Sequence, residues 1–172
     1  MKLLARLVGL ALLLSLWWPE LARFRAERDL AEVNQRLQRA LTGADRGAPA
    51  LQSVGVAAAL AADAARQMPA DPRPPMLQGI ALILAGRGAE ALAVLDAAVI
   101  VGERPELTIN QGRARTLLGD AAGAHAAYLR TAWASPLGIA SLPQAMRAEL
   151  GTEVAGLEAE LRAGRLKSVP GG

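Results

Sequence analysis

PRPPMLQGIALILAGRGAEALAVLDAAVIVGERPELTINQGRARTLLGDAAGAHAAYLRTAWASP, residues 72–136, says the same thing twice. Slid along itself until Gly79 falls on Gly112, it also brings Gly86 onto Gly119, Ala91 onto Ala124, Gln78 onto Gln111 and Leu95 onto Tyr128. A repeated segment of this length is one supersecondary unit that cannot bury its apolar face alone, so copies stack. Within the first copy, Met76–Ala85 and Glu90–Val101 read as a helix pair divided by Gly86-Arg87-Gly88. In the second, Leu107–Leu118 and Ala121–Ala134 are divided by Gly119-Asp120. Glycine just past a helix end takes the left-handed conformation that other residues resist.

Composition supports an all-α fold. The 172-residue chain is 52% hydrophobic but only 3% aromatic, so its apolar mass is Ala, Leu and Val. Small side chains suit closely packed helices, whereas strands prefer the β-branched and aromatic types. The net charge is +3, and Arg alternates with Glu and Asp, as over Arg23–Asp29. That is a mixed, solvated surface, not the one-sided cationic face of a nucleic-acid binder. Without cysteine there are no disulfides, thiolate metal sites or Cys nucleophile.

Outward from the repeats, residues 43–71 read as a degenerate third copy. Its helix Leu51–Met68 carries Val54, Ala57, Ala61 and Ala64 on one side, its first helix falls near Leu37–Asp45, and Gly43–Pro49 is a turn. Pro69–Pro75 breaks the chain, so the next helix starts near Pro74 or Pro75. After Pro136, Ser141 and Gln144 have the spacing of a capping box. Met146, Leu150, Val154, Leu157 and Leu161 then line one face of a terminal capping helix within residues 139–172.

Residues 19–42 read as an amphipathic linker helix starting at Pro19, with Leu21, Phe24, Leu30, Val33, Leu37 and Leu41 as its apolar face. Before it, residues 1–18 are an anchor or a signal. Lys2 and Arg6 precede an apolar run from Leu3 of about 16 residues, just short of the roughly 17–25 that span a bilayer. A cleaved signal needs a small-x-small site, and a cut after Ala22 places Glu20 at its −3 position. An uncleaved anchor accounts for Trp17 and Trp18 as the membrane-interface pair and for Arg6 snorkelling to the headgroups. The basic N-terminus then stays cytoplasmic and the bulk lies across the membrane, although Arg23, Arg25 and Arg28 on the far flank oppose that orientation.

The repeat residues resemble the tetratricopeptide repeat (TPR) family. Its roughly 34-residue pattern has a helix A Gly, a turn Gly, a helix B Ala and a following aromatic or Leu. Gly79, Gly86, Ala91, Leu95 and Ala98 match these positions in one copy, and Gly112, Gly119, Ala124 and Tyr128 in the other, with Pro136 closing the repeat. Pro75 and Thr108 stand where the family has a helix A aromatic, and Arg115 where an aromatic or Leu is usual. The resemblance implies a concave face, lined by helix A, that holds a partner's peptide. By position the groove residues are Arg73, Met76, Ile80 and Ile83, then Ile109, Asn110, Arg113 and Thr116. Asn110 and Arg113 suit a peptide backbone or carboxylate, and Met76, Ile80 and Ile83 form an apolar floor. The alternative is that Leu21–Leu41 fills this groove.

No cofactor and no enzymatic motif is expected. His125 is a lone histidine without clustered ligands, and nucleophile-elbow, phosphate-loop and HExxH patterns are absent from the sequence. Two functions follow. One is a single-pass protein of the bacterial inner membrane whose periplasmic repeats bind another protein, as an assembly factor or chaperone for an exported polypeptide. Its layout is similar to that of the single-span repeat proteins beside the secretion translocon or in cytochrome c maturation. The other is a structural accessory subunit of a membrane complex. A secreted soluble module requires cleavage of the N-terminus.

Overall fold

The computed structural model describes the backbone of residues 2–170, together with the side chains of Trp17 and of residues 20–170. Seven α-helices and one 3-10 segment make up 80% of it, and there is no strand among the described residues. The helices are α1 (Lys2–Leu41), α2 (Gly47–Gln67), α3 (Arg73–Leu84), α4 (Gly88–Val101), α5 (Pro105–Leu117), α6 (Ala121–Ala134) and α7 (Gln144–Arg162), with the 3-10 segment Pro136–Ser141 before α7. From α1 to α6 each helix packs against the next, and α1, α3 and α5 also touch in succession along one side.

The internal repeat is a structural repeat. Hairpins α3–α4 and α5–α6 turn at Gly86 and Gly119, whose φ values are +75° and +76°. A Cβ added at Gly79 would lie 2.7 Å from Leu95 Cδ2, and one at Gly112 would lie 2.6 Å from Tyr128 Cδ1. The missing methyl in the first helix of each pair therefore admits the large side chain of the second. Ala91 and Ala124, both buried, keep the paired helices close on the other partner. Between copies, Gly88 does the same for α4 and α5, where Ala114 O and Leu118 Cγ would stand 3.2 and 3.1 Å from a Cβ.

Several element boundaries differ from those the sequence predicts. α1 runs through Pro19 as one helix of 40 residues, about 60 Å at 1.5 Å per residue. Proline costs one ladder hydrogen bond, and here the turns on both sides keep the helix going. Its core face is Ala26, Leu30, Val33 and Leu37, while Leu21, Phe24 and Leu41 are exposed. The break in spacing between Phe24 and Leu30 marks the reason, because Leu21 and Leu30 lie about 180° apart around a helix of 3.6 residues per turn. The α1–α2 turn contracts to Thr42–Arg46, with Pro49 inside the first turn of α2, where an amide hydrogen is dispensable. Residues 43–71 thus hold a single long helix, and its partner is α1 at Ala26–Leu37, earlier than the expected Leu37–Asp45.

Ser141 and Gln144 form no capping box, because Ser141 ends the 3-10 segment and Pro143 takes the N-cap position. On α7, Leu150 and Val154 are buried, Met146 and Leu157 half-buried, and Leu161 exposed. The buried residues form two cores. The first joins α1, α2, α3 and α4 with Leu107 and Ala114 of α5. The second gathers Ile109, Ala124, Tyr128, Ala132, Leu142, Leu150 and Val154.

Gly79→Ala and Gly112→Ala are each expected to cost about 1–3 kcal/mol in urea unfolding, since the buried Leu95 and Tyr128 have nowhere to retreat. Gly55→Ala, on an open face of α2, is the matched control. It is expected to stabilise by about 0.5–1 kcal/mol through the lower backbone entropy of alanine.

Candidate functional site

The expected groove is partly closed by the fold. On α3, Arg73 is exposed, and Met76, Ile80 and Ile83 are half-buried against the first core. On α5 the register splits. Ile109 is only 7% exposed and belongs to the second core, and Asn110 is 3% exposed. Asn110 donates from Nδ2 to the Glu106 carbonyl at 2.7 Å and accepts from Arg113 Nη1 at 3.0 Å. Its side-chain amide is thus engaged within the protein. Thr116 is exposed, but its hydroxyl bonds the Gly112 carbonyl at 2.9 Å and pairs with the Tyr128 hydroxyl at 3.2 Å. Arg113 is the polar groove residue of α5 whose head remains at the surface.

Ile109 matches Met76 in the repeat register, but α5 has different neighbours, and Asn110 matches Leu77, which is buried as well. After α5 and α6 the chain turns through Pro136–Ser141 and lays α7 down, so Leu142, Leu150 and Val154 cover a face that the stack leaves more open at Met76. α1 packs mainly along α2 and meets α3 more lightly, with its Glu27 on the groove residue Arg73. Of the expected membrane-interface residues, Trp17 is 65% exposed, while the side chains of Arg6 and Trp18 lie outside the described residues.

Where Arg73 and Met76 meet the first turn of α5, they line a shallow depression of about 220 Å³ with Arg104, Glu106 and Leu107. It continues toward a larger one of about 570 Å³ bounded by Arg23, Gln67, Met68, Asp71, Arg73 and Arg104. Arg73 is clamped from both sides. Its Nη2 lies 2.6 Å from Asp71 Oδ2 and 2.6 Å from Glu27 Oε1, which ties α3 to α1. Asp71 also caps α3, accepting from the Arg73 backbone N–H at 2.9 Å. The Arg73 side chain holds the Asp71 carboxyl below its ordinary range, partial burial opposes this, and the backbone bond and Arg104 add to it.

Sequence reading missed Arg23, Asp71 and Arg104. A signal was present, because Asp71-Pro72 and Arg104-Pro105 occupy the same place in the two copies, just ahead of the first helix. His125 lies between α6 and α7, with Nε2 3.2 Å from Glu153 Oε2 and 3.7 Å from Glu149 Oε1. It joins the last two helices, and no metal-ligand cluster occurs among the described residues. α2 is long and apolar enough to cross a membrane by length and composition, yet it lies between α1 and α3 with Val54, Ala57, Ala61 and Ala64 buried. No family model, curated protein or solved structure matches the chain.

Two outcomes follow. Asn110→Ala should lower unfolding free energy by about 1–2 kcal/mol through the lost buried bonds, and Arg113→Ala, which takes the donor from Asn110 Oδ1, by about 1 kcal/mol. For Asp71, a lowered folded pKa means its contribution is complete above the unfolded value near 4 and disappears as pH falls through the folded one. Asp71→Asn should therefore cost up to about 1 kcal/mol at neutral pH, and the gap from wild type should close in acid, as read by urea unfolding at stepped pH.

Proposed function

We propose that the chain is a membrane-anchored scaffold of tetratricopeptide type that binds another protein through the side of the stack formed by α1, α3 and α5. The observation that carries this reading is the duplicated hairpin, with the same glycine admitting Leu95 in one copy and Tyr128 in the other. Repeats of this kind present a continuous surface of first helices. On that surface Ile80 and Ile83 offer apolar area and Arg113 a fork for a carboxylate. The apolar run of residues 3–18, continuous with the folded part through α1, serves as the anchor. Placed in a bacterial inner membrane with a cytoplasmic N-terminus, it leaves the repeats on the periplasmic side, where an assembly factor or chaperone meets an exported polypeptide or a membrane complex.

A second reading, a fixed accessory subunit of a membrane complex, is favoured by the burial of Ile109 and Asn110, which makes the groove shallower than a peptide clamp needs. Purification from detergent-solubilised membranes separates the two. Partners held at fixed stoichiometry through high salt indicate the subunit, and weak, salt-sensitive, exchanging partners indicate the chaperone. An N-terminus found cleaved by mass overturns the anchored reading. Under the scaffold reading, Arg113→Glu should reduce partner recovery by about tenfold, whereas Asn110→Ala, which loses the same internal bond but keeps the guanidinium, should retain most of it. Arg66→Glu, on α2, should leave recovery intact.

A further inference from the structure

The middle of α1 at Leu21–Arg25, the C-terminal end of α2 and the loops that lead into α3 and α5 come together at one end of the stack. Arg23, Arg73 and Arg104, from three separate elements, surround the depression of about 570 Å³ there. Arg73 is committed to Asp71 and Glu27, whereas Arg23 and Arg104 make no ion pair within 4 Å among the described residues, Arg104 reaching Asp71 only at longer range. The wall of this depression carries three guanidinium groups and the single carboxylate of Asp71, with Glu106 on the adjoining depression, so the wall itself is cationic. A second depression, lined by Leu21, Ala22, Arg25 and Gln67, joins this end to the outer face of α1.

That outer face is apolar. Trp17, Leu21 and Phe24 are 65%, 47% and 70% exposed, and they share one side of α1 opposite Ala26, Leu30 and Val33. Exposed aromatic and apolar side chains just beyond a spanning segment, with arginines among them, are what a helix presents to the interfacial layer of a bilayer. The stripe also continues the apolar run of residues 3–18 along the same helix. At 1.5 Å per residue, Arg23 lies about 9 Å beyond Trp17. The headgroup layer of each leaflet is about 5–8 Å deep, so a bilayer ending at Trp17 puts Arg23 at the outer edge of the lipid phosphates, within snorkelling reach.

We infer that this end of the stack rests on the bilayer and that Arg23 and Arg104 grip the phosphate of an anionic lipid headgroup, with Arg73 braced behind them. The inference rests on the anchored reading but holds for either orientation of the anchor. Guanidinium forks match phosphate oxygens in pairs, and basic residues at an anionic surface gain affinity that salt screens. An acidic peptide would find the same charges, but it gives no account of the exposed Trp17 and Leu21 alongside.

The test uses the full-length chain in nanodiscs of phosphatidylcholine alone or mixed with phosphatidylglycerol. Co-elution with the discs reports insertion, so loss of the anchor shows up separately and sinks the anchored reading itself. In inserted protein, hydrogen exchange of the loops at Met68–Arg73 and Gly102–Arg104 should slow severalfold in the anionic discs, and high salt should reverse it. Arg23→Gln and Arg104→Gln, both at the surface, should each weaken that lipid dependence by about fivefold. Arg46→Gln, in the turn at the far end of α1, should leave it unchanged. Equal exchange in the two lipids would overturn the inference, as would retention of the effect in the double variant. The same slowing by inorganic phosphate or by an acidic peptide in neutral discs would also overturn it, by assigning the cluster to a soluble ligand.

Discussion

The structure depends on two hydrogen atoms standing where methyl groups would be. At Gly79 and Gly112 the first helix of each hairpin has no Cβ, and the space is taken by Leu95 and by the ring of Tyr128. Both side chains are fully buried, and sealing each from water is worth about 1.5–3 kcal/mol. The close approach also explains the composition. Helices drawn together this tightly need Ala at the flanking contacts, as at Ala81, Ala91, Ala114 and Ala124, and leave little room for aromatic residues. Where the second copy does take an aromatic ring, it also satisfies the ring's polar end, since the Tyr128 hydroxyl meets that of Thr116.

Polar groups inside the second hairpin follow from the same closeness. Thr108 and Thr131 are both buried and face each other across α5 and α6, with their hydroxyl oxygens 2.8 Å apart. Thr108 stands where the tetratricopeptide pattern that the repeat resembles has an aromatic residue, and the structure gives it a hydrogen-bond partner in Thr131. Gln111 does likewise across the repeat boundary, donating to Asp96 at 2.7 Å. A buried polar group left single costs about 1–3 kcal/mol, so these pairs select one register for α5 between α4 and α6.

Most of the helices were legible because their stops are chemical. Gly86 and Gly119 end helices by their positive φ, and α6 occupies Ala121–Ala134 as its periodicity predicts. The starts of α2 and α3 were less legible, because proline tolerates the first turn at several offsets and Pro49, Pro74 and Pro75 all sit inside one. α1 misled at Pro19 and at Leu21 and Phe24. Hydrophobic spacing shows that a face exists, but it does not show whether protein, lipid or water lies against it. The groove was the least legible feature, because Ile109 is buried in a core completed by Leu142, Leu150 and Val154 after an irregular turn, and repeat register carries no information about that.

α5 makes the consequence plain. It belongs to both cores at once, giving Leu107 and Ala114 to the first and Ile109 to the second. Its polar residues Thr108, Asn110 and Gln111 are consumed by bonds within the protein. A helix used on so many sides has few side chains left for a ligand, and on α5 the main one is Arg113. The loops that enter α3 and α5 are under no such demand. Apart from Met68 they lie outside both cores, where charge costs little desolvation. Arg104 and Arg23 can therefore gather beside Arg73, at the edge of the groove that the repeat register singles out.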